Sequence, residues 1–116
     1  MSEELFDLEE FKDRVQGDTE LLLELLEIFV ADYEVKRQSL QEAVGKGDYE
    51  EIKSVAHSLK GASGNISAKS LREVFVQIEE LAKTNDMSKA DGWLNQLDEV
   101  YAALGKRIEE VKVELS

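Results

Sequence analysis

The chain of 116 residues contains no cysteine, no proline and a single histidine. Without cysteine it can form no disulfide, thiolate nucleophile or zinc–thiolate site, and nothing in it indicates an oxidising compartment. The absence of proline and the abundance of Leu, Glu, Lys, Ala and Val favour helices over sheets with tight turns. An all-α fold is therefore expected.

Long apolar runs are also absent. The amino-terminal residues 1–7 are acidic, and no apolar stretch is long enough for a signal peptide or a membrane span. The net charge of −12, from 26 acidic and 14 basic residues, repels phosphate backbones and anionic lipid surfaces. We expect a cytoplasmic protein that binds neither nucleic acid nor membranes.

Short polar breaks divide the chain, whose length fits one domain over residues 1–116. The breaks lie at residues 17–19, 45–48, 67–70 and 84–88. Residues that can accept a backbone N–H bond stand at the start of each following segment, and the predicted N-caps are Asp18, Asp48, Ser70 and Ser88. The breaks thus predict helix ends.

Apolar residues recur at helical spacing between these breaks. Examples are Leu22, Leu26, Phe29 and Tyr33, then Ile52, Val55 and Leu59, then Leu71, Phe75 and Ile78, then Leu97, Leu104 and Ile108. Four amphipathic helices joined by short connections pack most simply as an antiparallel up-and-down four-helix bundle. A short additional N-terminal helix is expected over residues 7–16.

The single histidine, His57, lies in the run AHSLKGASG at residues 56–64. At about 100° per residue it points about 140° away from the core direction set by Ile52. Lys53, Lys60, Gly61 and Gly64 share this outward face. A glycine inside a helix costs about 1 kcal/mol relative to alanine. Two of them beside the histidine indicate a function that needs open space.

Several chemistries can be weighed for this outward histidine. Metal binding fits poorly, because one histidine without cysteine supplies few ligands and the neighbouring lysines repel cations. A hydrolytic triad fits poorly, because no Gly-x-Ser-x-Gly elbow exists and an exposed helix face excludes no water. A histidine without function is the simplest alternative. Nucleophilic capture of a phosphoryl group fits best, because lysine can offset the charge of the transferred oxygens.

In their order, these residues resemble the histidine phosphotransfer domain, the four-helix carrier of multistep phosphorelays. The family signature of alanine, histidine, any residue, leucine, lysine and glycine, followed by small residues, matches residues 56–63. Ser67 departs from the pattern, because family members commonly have glycine there. Glu79 occupies a position where such domains often have Glu or Gln near the histidine.

The resemblance implies that His57 accepts a phosphoryl group from a receiver-domain aspartate and passes it to another receiver's aspartate. The implied site residues are His57 as the nucleophile through Nε2, Lys60 for charge stabilisation, Gly61 and Gly64 for access, and Glu79 for orienting the imidazole. Lys53 is a further candidate for electrostatic assistance. We expect no kinase activity, because neither Gly-x-x-x-x-Gly-Lys-Ser/Thr nor a kinase-type glycine loop occurs.

The implied partners are response-regulator receiver domains and a hybrid sensor kinase, and the carrier is expected to be a monomer. No cofactor is expected on this chain, because Mg²⁺ would come from the acidic pocket of the receiver. The docking surface should be a modest apolar patch around His57. Candidates for this patch are Phe6, Phe11 and Val76, although the first two could instead seal one end of the bundle.

Other functions remain open from the residues alone. A passive helical adaptor would use the same bundle but would need neither Lys60 nor Gly61. A phosphatase-like regulator or a phosphoacceptor domain excised from a larger sensor kinase is a further alternative. Because the chain starts at Met1 and ends after one domain, a free-standing carrier is the expectation.

Overall fold

Helices make up nearly all of the regular structure in this computed structural model, which describes residues 2–86 and 88–116. In chain order they are α1 (Ser2–Leu5), α2 (Leu8–Arg14), α3 (Thr19–Lys46), α4 (Tyr49–Asn65), α5 (Lys69–Lys83) and α6 (Ala90–Leu115). The predicted all-α class is confirmed. Two short helices precede the long ones, where the sequence predicted one.

The four long helices form an antiparallel bundle in which each contacts its neighbours in sequence and α3 also contacts α6. An aromatic stack and an ion pair are among the contacts between α3 and α6. Tyr33 stacks on Tyr101 with ring centroids 3.7 Å apart, and the Arg37 guanidinium donates two hydrogen bonds to Asp98 at 2.8 and 2.9 Å. The up-and-down four-helix bundle predicted from the sequence is therefore confirmed.

The apolar stripes of the four helices meet in one core. Its fully buried members include Leu26, Leu40, Ile52, Leu59, Leu71, Phe75, Leu97 and Leu104. These residues recur at three- and four-residue spacing along each helix, so one face of every helix is removed from water. Burial of these stripes fixes the rotation of α4 and α5 about their own axes. It thereby determines which of their residues face solvent.

Two of the predicted N-caps are confirmed and two are wrong. Asp18 accepts the Leu21 N–H at 3.0 Å, and Asp48 accepts the Glu51 N–H at 3.1 Å. The α5 helix instead begins after Ala68 without a side-chain cap, so Ser70 lies inside its first turn.

The start of α6 also differs from the prediction, because the helix begins at Ala90 with Lys89 at the N-cap position. Ser88 is occupied elsewhere. Its backbone N–H and its hydroxyl both donate to the Asp86 carboxylate, at 3.0 and 2.6 Å. The serine therefore stabilises the turn before α6 and does not cap the helix.

The turn between α4 and α5 contains Ser67 in a left-handed conformation, with a φ of 62°. This conformation favours glycine, which accounts for the glycine that family members commonly have here. Ser67 is buried, and its hydroxyl donates to Glu10 Oε1 at 2.7 Å. Its carbonyl also accepts the Asp7 N–H at 3.0 Å. The turn is thus tied to the segment around α2.

The end of the bundle next to this turn is sealed by aromatic residues. Phe6 and Phe11 are only 3% and 1% exposed, and their rings meet edge to face with centroids 6.0 Å apart. Both are therefore part of the core, which fits the second of the two roles predicted for them, that of sealing one end of the bundle. Val76, the third candidate, is half-buried on α5.

Within the described residues, no helix combines the length and the hydropathy needed to cross a membrane. That residues 1–116 form one domain stays a prediction.

Candidate functional site

His57 lies near the middle of α4 on the face opposite the core. Its side chain is 69% exposed, whereas the neighbouring Ala56 and Leu59 are fully buried. Burial of the apolar stripe of α4 fixes this orientation, because residues one and two positions away are rotated by about 100° and 200°. The structure thus presents the imidazole to solvent, in the direction given by the helical rotation.

The carboxylate of Glu79, on α5, bridges two side chains of α4. His57 Nδ1 lies 2.9 Å from Glu79 Oε2, and Lys60 Nζ donates to Glu79 Oε1 at 2.6 Å. The Glu79 side chain is only 9% exposed. Two charge-assisted contacts therefore hold a largely buried carboxylate beside the exposed imidazole.

Lys60 lowers the pKa of the Glu79 carboxyl below its ordinary value of 4.5, and the hydrogen bond from His57 acts in the same direction. Burial opposes both effects but does not cancel them. Glu79 is thus ionised at neutral pH. Its side chain is largely buried and not solvated, because the adjacent α4 supplies both of its partners.

The ionised Glu79 determines which nitrogen of His57 can react. An ionised carboxylate only accepts hydrogen bonds, so the proton in the contact belongs to His57 Nδ1. In a neutral imidazole the other nitrogen, Nε2, then has a free lone pair. No hydrogen-bond partner of Nε2 occurs among the described residues. The arrangement leaves Nε2 as the nucleophilic atom on an exposed ring.

The two glycines of α4 have different surroundings. A Cβ added at Gly61 would meet no atom within 4 Å, so the helix surface one turn from His57 is open. A Cβ added at Gly64 would lie 3.3 Å from Cδ and 3.4 Å from Nε of Arg72. Gly64 therefore makes room for the side chain of Arg72, which crosses from α5.

The remaining lysines near His57 are paired with residues of α3 or α4. Lys53, predicted to assist electrostatically, lies 3.5 Å from Glu50 and does not contact the carboxylate of Glu79. Lys36, on α3, donates to the hydroxyl of Ser58 at 2.6 Å and pairs with Asp32 at 3.1 Å. Of Lys36, Lys53 and Lys60, only Lys60 contacts the carboxylate that also contacts His57.

Sequence reasoning missed Lys36 and Arg72. Neither is in the motif around His57, and each reaches α4 from another helix. A signal for Arg72 was present. Once residue 79 is placed opposite residue 57, antiparallel α4 and α5 bring residue 72 opposite residue 64, two turns further along both helices.

An apolar groove lies between α3 and α4, on the side of α4 away from Glu79. It has a volume of about 240 Å³. Its lining residues are Leu25, Ile28, Phe29, Asp32, Ala62, Asn65 and Ile66. Ile28 is 57% exposed, so the groove presents apolar surface to solvent. Ala62, the first residue of α4 in this lining, follows His57 by five residues, about 8 Å along the helix axis.

Over residues 2–86 and 88–116, no three or more His, Cys, Asp or Glu side chains gather where they could hold a metal ion. The origin of Mg²⁺ in a partner stays a prediction.

Comparison with protein families places the chain in a known group. The family model of the Hpt domain matches residues 24–107, a range that contains His57, Lys60 and Glu79 together with Gly61 and Gly64. The chain therefore belongs to the Hpt domain family, whose members are phosphocarriers.

Individual relatives are more distant. The phosphorelay intermediate protein rdeA of Dictyostelium discoideum is 28% identical over 109 residues, which cover 91% of this chain and 39% of that protein. The chain thus spans well under half of that relative's length. The crystal structure of histidine-containing phosphotransfer protein B (HptB) from Pseudomonas aeruginosa PAO1 matches with a TM-score of 0.89 over 97% of each chain at 24% identity. That likeness shows the shared fold.

Proposed function

We propose that this phosphocarrier accepts a phosphoryl group on Nε2 of His57 from the aspartyl phosphate of a receiver domain and passes it to the aspartate of another receiver. One observation carries the proposal: His57 is exposed while its Nδ1 contacts the buried carboxylate of Glu79 at 2.9 Å. That contact orients the ring and directs its free lone pair to an incoming phosphorus.

The proposed step is balanced within the two proteins. The Nε2 lone pair of His57 forms the N–P bond, the P–O bond of the acyl phosphate breaks, and the partner's aspartate leaves as a carboxylate. The imidazole gains positive charge as the bond forms, and the adjacent Glu79 carboxylate offsets it. The second transfer is the same step in reverse, with water as neither reactant nor product.

Lys60 would stabilise the transferred group. Its Nζ lies 2.6 Å from Glu79, close to the ring that receives the phosphoryl group. An anion on Nε2 would attract this ammonium, so Lys60 can exchange part of its contact with Glu79 for the phosphoryl oxygens. The open surface at Gly61 would let the partner approach the ring.

The receiver would dock on the groove between α3 and α4. The groove is apolar, begins on α4 about 8 Å along the helix axis from His57 and contains the exposed Ile28. Burial of such a patch beside a polar rim is typical of transient interfaces. The receiver's carboxylates would hold the Mg²⁺. This chain and the receiver would meet in the cytoplasm, where ATP supplies the phosphoryl groups of sensor kinases.

The decisive experiment uses a panel of receiver domains phosphorylated with acetyl phosphate. We expect at least one to transfer radiolabel to the wild-type chain and none to a His57→Gln variant, with an adduct that is labile to acid and stable to base. Undiminished labelling of the variant, or no labelling of the wild type by any receiver or hybrid kinase, would refute the proposal.

Two alternatives give different results in the same assay. An adaptor would bind its partner equally well after His57→Gln and would acquire no label. A phosphoacceptor domain of a larger kinase would be labelled only when that kinase's ATP-binding part is added. The chain alone, incubated with ATP and Mg²⁺, is expected to stay unlabelled.

A further inference from the structure

A basic side chain outside the histidine motif crosses α4 at Gly64, on the same face of the helix as His57. Arg72, on α5, crosses Gly64, and its Cδ and Nε lie 3.3 and 3.4 Å from the position of an added Cβ. Gly64 follows His57 by two helical turns and points within about 20° of the same direction. Arg72 therefore lies about 10 Å along the helix axis from His57, at the edge of the same face.

Arg72 differs from the other basic residues of α4 and α5 in its pairing. Four lysines of these helices each have a carboxylate oxygen within 4.0 Å of Nζ, namely Lys53, Lys60, Lys69 and Lys83. None of the carboxylates on the described side chains lies that close to Arg72. Arg72 is exposed and lines a surface cavity together with Glu10 and Glu73, but it forms no ion pair within 4.0 Å with either of them.

The net charge of the whole chain affects how a receiver can approach Arg72. At −12, the protein repels other acidic surfaces. A receiver presents such a surface at its reacting group, because an aspartyl phosphate is anionic and the Mg²⁺ beside it needs carboxylate ligands. Approach is therefore favoured where this chain has a cation without an ion pair on the same helix face as the nucleophile.

We propose that Arg72 is a docking residue that attracts the acidic rim around the receiver's phosphorylated aspartate and so sets which receivers bind quickly. The proposal rests on the function proposed above and adds a partner-selecting residue to it. Arg72 lies two turns from the reacting nitrogen, so it acts on encounter and orientation, and the phosphoryl group itself is stabilised by Lys60.

The test compares Arg72→Ala, Arg72→Lys and Lys106→Ala, using the receiver that transfers fastest in the panel. Lys106 is a matched control, because it is exposed on α6, has no carboxylate of the described side chains within 4.0 Å and changes the net charge equally. We expect Arg72→Ala to lower kcat/KM about three- to tenfold at low salt with kcat unchanged within about twofold. Arg72→Lys should retain most of the activity, and Lys106→Ala should lose less than about twofold.

Two further measurements separate docking from other effects. The deficit of Arg72→Ala should vanish near 1 M salt, where the screening length falls to about 3 Å. Phosphorylation of His57 by phosphoramidate, a small donor that needs no docking, should proceed at the wild-type rate in all three variants.

Equal losses for Arg72→Ala and Lys106→Ala would overturn the proposal, as would a loss that persists at high salt or that falls on kcat. None of these outcomes would contradict the proposed function. The proposed function is tested by whether a receiver labels the wild-type chain on His57. A wild-type chain that no receiver labels would instead refute the function.

Discussion

Glu79 is the residue on which the geometry around His57 depends most. Its two oxygens accept from different donors, Lys60 Nζ and His57 Nδ1, and its side chain is largely buried between α4 and α5. Removing the carboxylate would leave the imidazole free to rotate and the ammonium without a partner. Ring orientation and the charge beside the ring therefore depend on one side chain of the adjacent helix.

The lowered pKa of Glu79 predicts a pH-dependent contribution to stability. Because the carboxyl has a pKa below 4.5 in the folded chain, the folded state favours its ionised form. That contribution is complete above the ordinary pKa and is lost as the pH falls through the lowered value. We expect Glu79→Gln to have a smaller free energy of unfolding than wild type at neutral pH, with the difference shrinking below about pH 4.

Urea unfolding of both proteins between neutral and acidic pH measures this difference directly. Other carboxyls with lowered pKa values, including Asp7 and Glu10, are common to both chains, so their effects cancel. A difference that stays constant as the pH falls would contradict the ion pairing of Glu79.

The substitution Gly61→Ala should raise the stability of the protein and slow phosphoryl transfer. A methyl group added there meets no atom within 4 Å, so Gly61→Ala should stabilise the helix by about 1 kcal/mol. The same methyl group would project into the approach to His57, and we expect transfer from a receiver to fall at least about tenfold. Thermal unfolding and transfer kinetics on one protein sample test both effects.

Phosphoramidate provides the control for this variant, because a small donor should reach Nε2 past a single methyl group. If receiver transfer in Gly61→Ala equals wild type, the glycine is not needed for access, and its place in the motif has another cause.

At the scale of helices, the bundle was predictable because apolar residues recur along each helix within the local sequence. The faces that they form are the ones that pack together in the core. The caps at Asp18 and Asp48 were predictable for a similar reason, since cap and helix are adjacent in sequence. The start of α5 was not, because it depends on the left-handed turn at Ser67. The burial of Glu79 was likewise missed, because its partners are on another helix and periodicity within α5 contains no information about them.

Ser67 offers a test of backbone strain in the connection between α4 and α5. Ser67→Ala keeps the left-handed conformation but loses the hydrogen bond to Glu10, so it should be less stable than wild type. Ser67→Gly loses the same bond but relieves the strain, and it should be more stable than Ser67→Ala by about 1 kcal/mol. Urea unfolding of the two variants measures the difference, and equal stabilities would mean that the turn is not strained.

Across the whole molecule, the reacting histidine is separated along α4 from the sealed end of the bundle. Arg14 of α2 donates to the carbonyl of Gly64 at 2.6 Å, which places α2 at the end of α4. His57 is seven residues earlier, about 10 Å along the helix axis. The apolar residues that close the end should therefore matter for folding, whereas those beside the histidine should matter for partners.

Phe11 distinguishes these two roles, because it is 1% exposed and was also a candidate for docking. Phe11→Ala should lower the free energy of unfolding by about 3 to 5 kcal/mol, since it leaves a cavity between α2 and the core. Transfer to His57 per folded molecule should stay unchanged, measured at a temperature where circular dichroism shows the variant fully helical.

Ile28→Ser, on the exposed groove, should give the converse result of near-normal stability and weaker receiver binding. If Phe11→Ala instead slowed transfer while folded, the end of the bundle would belong to the docking surface.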